Sequence, residues 1–122
     1  MKHSPGFLKL VNDAKSRVRE IDVAGYQKMV AAAEPHLLVD TREESEWAAG
    51  HMKGAVHLSK GIIEREIETR VPDKSTKLIL YCGGGYRSAL VADNLQKMGY
   101  ASAISLDGGW RALKESGLPV EE

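Results

Sequence analysis

The single cysteine of the chain, Cys82, ends an apolar run and is followed at once by Gly83, Gly84 and Gly85, then by Tyr86, Arg87 and Ser88. Leu78-Ile79-Leu80-Tyr81 before it reads as a buried strand, and residues 87–98 after it as a helix. A strand that delivers a cysteine into a glycine turn at a helix start puts the sulfur where backbone N–H groups converge. Such a turn is an anion nest, and the helix N-terminus adds partial positive charge. Both favour the thiolate, the nucleophilic form of cysteine. The same cradle suits the terminal sulfur of a persulfide, which is also anionic. Arg87 can turn its charge toward the loop or toward an acidic substrate, and Ser88 can cap the helix or donate to the sulfur. The competing reading is a buried cysteine acting as a small hydrophobe. Three glycines in a row weigh against it, because they cost conformational entropy unless the backbone needs them.

Other residue types invite chemistry less strongly. Asp40 reads as a hydrogen-bond acceptor near the site and Arg42 as paired with an acidic neighbour, since buried charges must be paired. His3, His36 and His57 show no metal-ligand spacing with Cys82, so neither a metal nor a cofactor is called for. Trp47 and Trp110 read as packing anchors, with Trp110 able to approach the loop through the Gly108-Gly109 turn.

The elements that position Cys82 follow from periodicity. Ser4-Pro5 opens a helix, with Ser4 as cap and Pro5 in the first turn. Phe7, Leu8, Val11, Ala14, Lys15 and Val18 recur at helical spacing. Asp22 caps a second helix that Pro35 stops. Residues 37–41 form a buried strand, 43–49 a short helix closed by Gly50, and 55–58 a short strand after Gly54. A charged helix spans 61–70, Gly99 ends the helix after the loop, 102–106 is a strand, and 110–116 a last helix. Strands alternating with helices predict an α/β fold with a mostly parallel sheet. Residues 1–19 are assigned to an N-terminal helix packed on the domain formed by 20–122.

The 122 residues suit one domain. Seventeen basic and 17 acidic residues cancel, so no charge excess calls for nucleic acid. The apolar runs are too short to span a membrane, and one cysteine excludes an internal disulfide. A cytoplasmic protein is the expectation. No oligomeric state follows from the sequence.

Taken in order, these motifs resemble the rhodanese family over about residues 21–118. Asp40-Thr41-Arg42 resembles the family's Asp-x-Arg. Glu46-Trp47 resembles its acidic–aromatic pair, and Gly50-His51-Met52-Lys53-Gly54-Ala55 its Gly-His-x-x-Gly-Ala turn. Cys82 to Ser88 resembles its Cys-x-x-Gly-x-Arg-Ser loop, and Asp107-Gly108-Gly109-Trp110 its last glycine pair and aromatic. The resemblance implies a three-layer α/β/α fold around a five-stranded parallel sheet. It implies a sulfurtransferase in which Cys82 takes sulfur from thiosulfate or a persulfide donor and passes it to a thiol or protein acceptor. Gly83, Gly84, Gly85, Tyr86, Arg87 and Ser88 would bind the substrate, with Asp40, Arg42 and His51 in support. His51 would be a turn residue satisfied by backbone rather than a base. Related phosphatase domains carry five residues between Cys and Arg, whereas four separate Cys82 from Arg87 here. That departure, with the lack of a second cysteine, counts against phosphatase or arsenate reductase chemistry. An intact cysteine loop counts against a purely partner-binding module. Because Arg87 is the one charge in the loop, thiosulfate is expected to be a poor donor and a persulfide a better one, unless Lys53, Lys60 or Arg111 folds nearby.

Overall fold

The computed structural model describes residues 3–122. Five strands form one parallel sheet: β1 (Arg19–Ile21), β2 (Leu37–Asp40), β4 (Val56–His57), β5 (Leu78–Tyr81) and β6 (Ala103–Leu106). Their order is β1-β6-β5-β2-β4. β5 lies at the centre, with Leu80 opposite Val39 of β2 and Ser105 of β6. The two-residue strands β3 (His51–Met52) and β7 (Val120–Glu121) make a separate antiparallel pair.

The central strand is buried on both faces, and its side chains alternate between two cores. Leu78 and Leu80 face a cluster with Ile63 and Ile67 of α4 (Ile63–Arg70) and Val91, Ala92 and Leu95 of α5 (Arg87–Lys97). Ile79 and Tyr81 face the other, with Tyr26 and Met29 of α2 (Val23–Ala31) and Leu113 of α6 (Gly109–Glu115). This is the expected α/β/α layering. The short helix α3 (Glu44–Ala49) opens with a capping box between Glu43 and Glu46.

The helix α1 (Pro5–Lys15) has Pro5 in its first turn and is capped by Ser4, whose Oγ accepts from the Phe7 N–H at 3.4 Å. It packs on α5 through its buried residues Val11 and Ala14. Arg17, just past its end, donates two hydrogen bonds to Asp93 of α5 at 3.1 and 2.8 Å.

Several boundaries differ from the sequence expectation. β1 starts at Arg19, so a division of the chain between residues 19 and 20 falls inside a strand; residues 1 and 2 of that N-terminal segment lie outside the described residues. β1 escaped periodicity because Arg19 and Glu20 are exposed on an edge strand. The second helix ends at Ala31, ahead of Pro35: Ala33 takes a φ of 53° and the Glu34 N–H returns to the Met29 carbonyl at 3.0 Å. The charged helix begins at Ile63 rather than residue 61, since the N–H groups of Ile62 and Ile63 both turn back to the Ser59 carbonyl. Among the described residues no helix is long and apolar enough to cross a membrane.

Asp40 and Arg42 form a buried pair beside the central strand. The guanidinium donates to both carboxylate oxygens at 2.8–3.1 Å and to the Gly50 carbonyl at 2.6 Å. Removing one partner of such a pair strands the other charge and costs about 3–5 kcal/mol. Arg42→Ala is therefore expected to lower unfolding free energy by about that amount in urea melts; a loss below about 1 kcal/mol would mean that Asp40 finds another partner.

Candidate active site

β5 carries Cys82 to the C-terminal edge of the sheet, where open α/β sheets bind ligands. The side chain is buried, at 1% exposure, yet it forms part of the floor of a cavity of about 530 Å³. Three groups meet Sγ. The N–H of Gly85 donates at 3.1 Å and that of Ser88 at 3.4 Å. Ser88 Oγ lies 3.5 Å away and in turn 2.8 Å from Ser105 Oγ on β6. When the sulfur is a thiol, its S–H donates to Ser88 Oγ. When it is a thiolate, the Ser88 hydroxyl rotates to donate instead, with Ser105 as its donor.

Of the three glycines, Gly85 is the one with a positive φ, 99°. A Cβ there would come 3.2 Å from the Gly108 nitrogen and 3.3 Å from the Asp107 Cα. Gly83 and Gly84 need no such conformation. Added Cβ atoms would stand 3.4 Å from Arg87 Nη2 and 3.8 Å from the Tyr86 ring. The tight turn thus rests on one glycine, while the other two keep the pocket wall free of side chains.

The loop is held from behind by α6. The N–H of Trp110 donates to the Cys82 carbonyl at 2.6 Å, and that of Arg111 to the Gly83 carbonyl at 3.2 Å. Two N–H groups at a helix start, which lack partners within the helix, here satisfy two loop carbonyls. Gly109, with a φ of 53°, makes the approach possible. A Cβ on it would fall 2.4 Å from the Cys82 oxygen and 2.8 Å from the Gly83 carbon.

The sequence-predicted residues divide into three groups. Gly83, Gly84, Tyr86 and Arg87 line the cavity with Cys82. Gly85 and Ser88 are buried behind it and face the sulfur itself. Asp40, Arg42 and His51 lie outside the cavity lining. Arg42 sits 4.6 Å over the Trp110 ring and so supports a lining residue. His51, in β3, donates from Nδ1 to the Trp47 carbonyl at 2.9 Å while its ring stacks on the indole at 3.5 Å.

Trp110 and Arg111, named from the sequence only as able to approach the loop, do line the cavity, and sequence reasoning missed four further lining residues as site residues: His3, Phe7, Glu46 and Lys114. Glu46 receives Arg87 at 3.1 and 3.3 Å. Burial pushes its carboxyl pKa up, but the hydrogen bonds from Arg87 and the Glu43 N–H outweigh that and hold it below the usual value. The expectation of a poorly charged entrance fails in part. Arg111 and Lys114 stand on the rim, as the exposed face of α6, whereas Lys53 and Lys60 do not line the cavity. Ser105, buried under Cys82, was also missed; a lone serine inside the apolar run 103–106 was the available signal.

Comparison with known proteins agrees with this fold. The model of the rhodanese-like domain family matches residues 22–116. A sulfurtransferase of Allochromatium vinosum is 33% identical over 84% of this chain and 94% of its own length. A thiosulfate sulfurtransferase of Vibrio cholerae is 31% identical over 83% of this chain and 92% of its own. Among solved structures, a Rhodopseudomonas palustris protein of unknown function, described as a possible tyrosine phosphatase, aligns with a TM-score of 0.85 at 26% identity. It covers 99% of this chain and 98% of its own, and so includes α1.

Gly109→Ala tests the coupling of α6 to the loop. Overpacking against backbone together with a left-handed φ is expected to destabilise by about 3 kcal/mol or more, read as a lower urea midpoint. A midpoint within error of wild type would show that α6 can move away without loss.

Proposed function

The chain belongs to the rhodanese-like domain family, and from that premise we propose that it is a sulfurtransferase working through a persulfide on Cys82. The observation that carries this is the convergence of the Gly85 and Ser88 N–H groups on a sulfur at the floor of an accessible cavity. In the first step the Cys82 thiolate attacks the outer sulfur of a donor. With thiosulfate, a sulfur–sulfur bond forms to Cys82, that of the donor breaks, and sulfite leaves with the bonding pair. In the second step a nucleophilic acceptor attacks the outer sulfur of the persulfide. Cyanide leaves as thiocyanate, or a thiolate leaves as a persulfide, and Cys82 departs as the thiolate that the loop N–H groups again stabilise. No external oxidant or reductant is needed, and each hydrogen bond to the anionic sulfur is worth about 1.5–3 kcal/mol.

Arg111 and Lys114 on the rim favour entry of an anionic donor. They remove the premise on which thiosulfate was expected to be poor, so thiosulfate and anionic persulfides both remain within the reading. A phosphatase reading is less well supported. Four residues between Cys82 and Arg87 make a small ring, and Arg87 is turned onto Glu46.

After incubation with thiosulfate, intact-mass spectrometry is expected to find one added sulfur atom on the wild type and none on Cys82→Ser, whose urea midpoint should stay near that of wild type. Loading of the serine variant, or no loading of wild type by thiosulfate or a persulfide, would reject the mechanism.

Glu46 competes with the donor for Arg87. Glu46→Gln should lower KM for thiosulfate roughly threefold to fivefold at low salt, since one partly exposed charge pair is worth up to ~1 kcal/mol, and the gain should shrink as salt is added. Because Arg87 keeps Glu46 ionised to below the ordinary carboxylate range, the difference should persist at neutral and mildly acidic pH and close when Glu46 protonates. A higher KM in the variant would instead make Glu46 the residue that orients Arg87.

A further inference from the structure

The helix α1 lies outside residues 22–116, the stretch shared with the family, yet it forms one side of the cavity over Cys82. His3, just ahead of it, and Phe7 in its first turns line that cavity. Both meet Tyr86 of the active loop. The His3 ring is 4.5 Å from the Tyr86 ring and 5.2 Å from Phe7, and Phe7 is 6.4 Å from Tyr86, all tilted. Lys15 Nζ sits 5.2 Å over the same Tyr86 ring. The spacing of α1 produces this. Val11 and Ala14, which anchor it on α5, follow Phe7 by one and two turns on the same stripe. Burying them therefore aims Phe7, the single phenylalanine of the chain, at the loop.

The opposite side has different chemistry. Trp110 continues the aromatic lining, and Arg111 and Lys114 place two cations on the rim. The cavity, at about 530 Å³, is also larger than an inorganic donor requires. Thiosulfate would fill only roughly 150 Å³ if each heavy atom takes the ~30 Å³ of a liquid water. The space left over is bordered by flat rings at Phe7, Tyr86 and Trp110.

We propose that α1 is a wall of the active site, and that Phe7 beside Tyr86 makes the pocket select sulfur donors carrying a flat apolar group next to an anionic sulfur. The proposal rests on the sulfurtransferase reading above. The anionic end is drawn to Arg111 and Lys114 and the outer sulfur meets Cys82 Sγ. The apolar body lies against Phe7 and Tyr86, where ring contacts favour it. The transfer step is unchanged: the Cys82 thiolate takes the outer sulfur of an organic thiosulfonate, and the sulfinate leaves with the bonding pair.

Two donors with the same reacting group separate the body from the head: benzenethiosulfonate and methanethiosulfonate. The readout is the ratio of their kcat/KM values, with cyanide as acceptor, divided by the ratio of their rates with a free small thiol in solution. The wild type is expected to favour the aryl donor about tenfold on this corrected scale, the size of one or two aromatic contacts. Phe7→Leu, which keeps an apolar side chain for α1 and loses the ring face, should bring the preference to within about twofold, and Phe7→Tyr should restore it. A corrected wild-type ratio within twofold of unity overturns the proposal without any variant, as does an undiminished preference in folded Phe7→Leu. Failure of every donor, thiosulfate and persulfide included, to load sulfur on the wild type would overturn the sulfurtransferase reading and the inference with it.

Discussion

The geometry of the site depends on one close approach, that of the Gly109 backbone to the carbonyls of Cys82 and Gly83. The N–H groups of Trp110 and Arg111 reach those carbonyls because no Cβ stands between them. That contact fixes the back of the loop, leaving its own N–H groups at Gly85 and Ser88 to face the sulfur. It also brings three side chains of α6 to the cavity, one aromatic and two basic. The indole of Trp110 then covers the Arg42 guanidinium, which is held by Asp40 and by the Gly50 carbonyl. Asp40 and Arg42 belong to this chain of support.

Charge is distributed by depth. At the sulfur the surrounding groups are neutral: two backbone N–H groups and the Ser88 hydroxyl, itself bonded to Ser105. They stabilise an anion without a buried cation that would itself need a partner. The full charges stand farther out, where Arg87 is shared with Glu46 while Arg111 and Lys114 are exposed to solvent. Exposed cations add little to stability, but they raise the local concentration of anions and do so less as salt screens them. Stabilising the Cys82 sulfur and attracting anions are thus separate tasks given to separate residues.

The central part of this arrangement was legible in the sequence. An apolar strand, a lone cysteine and glycines before a helix fixed where the sulfur sits, because each is a local pattern with a local cause. The order of helices and strands was legible for the same reason. What was not legible depends on pairing or on long-range approach. β1 is charged and exposed, so its strand character comes only from β6. β3 and β7 are two residues each and exist only as partners. Glu46, Lys114, His3 and Phe7 reach the cavity from three helices and from the segment ahead of α1, and no spacing along the chain encodes that convergence. The three glycines were read as a single device, whereas the turn demands Gly85 alone.

The size of the loop bears on the size of the cargo. The Gly85 and Ser88 N–H groups lie 3.1 and 3.4 Å from Sγ, so the ring formed by residues 82–88 is already closed around one sulfur atom. A tetrahedral oxyanion beyond Sγ would need N–H groups aimed past the sulfur, and hence a wider ring. Arg87, which could bridge such an oxyanion, instead bonds both oxygens of Glu46. A loop built this way holds the Cys82 sulfur itself. In the proposed transfer, discrimination among donors would come from what surrounds the sulfur rather than from the ring. Here the surroundings are the aromatic side of α1 and the basic side of α6, one contributed from outside the region shared with the family and one docked on the loop through Gly109.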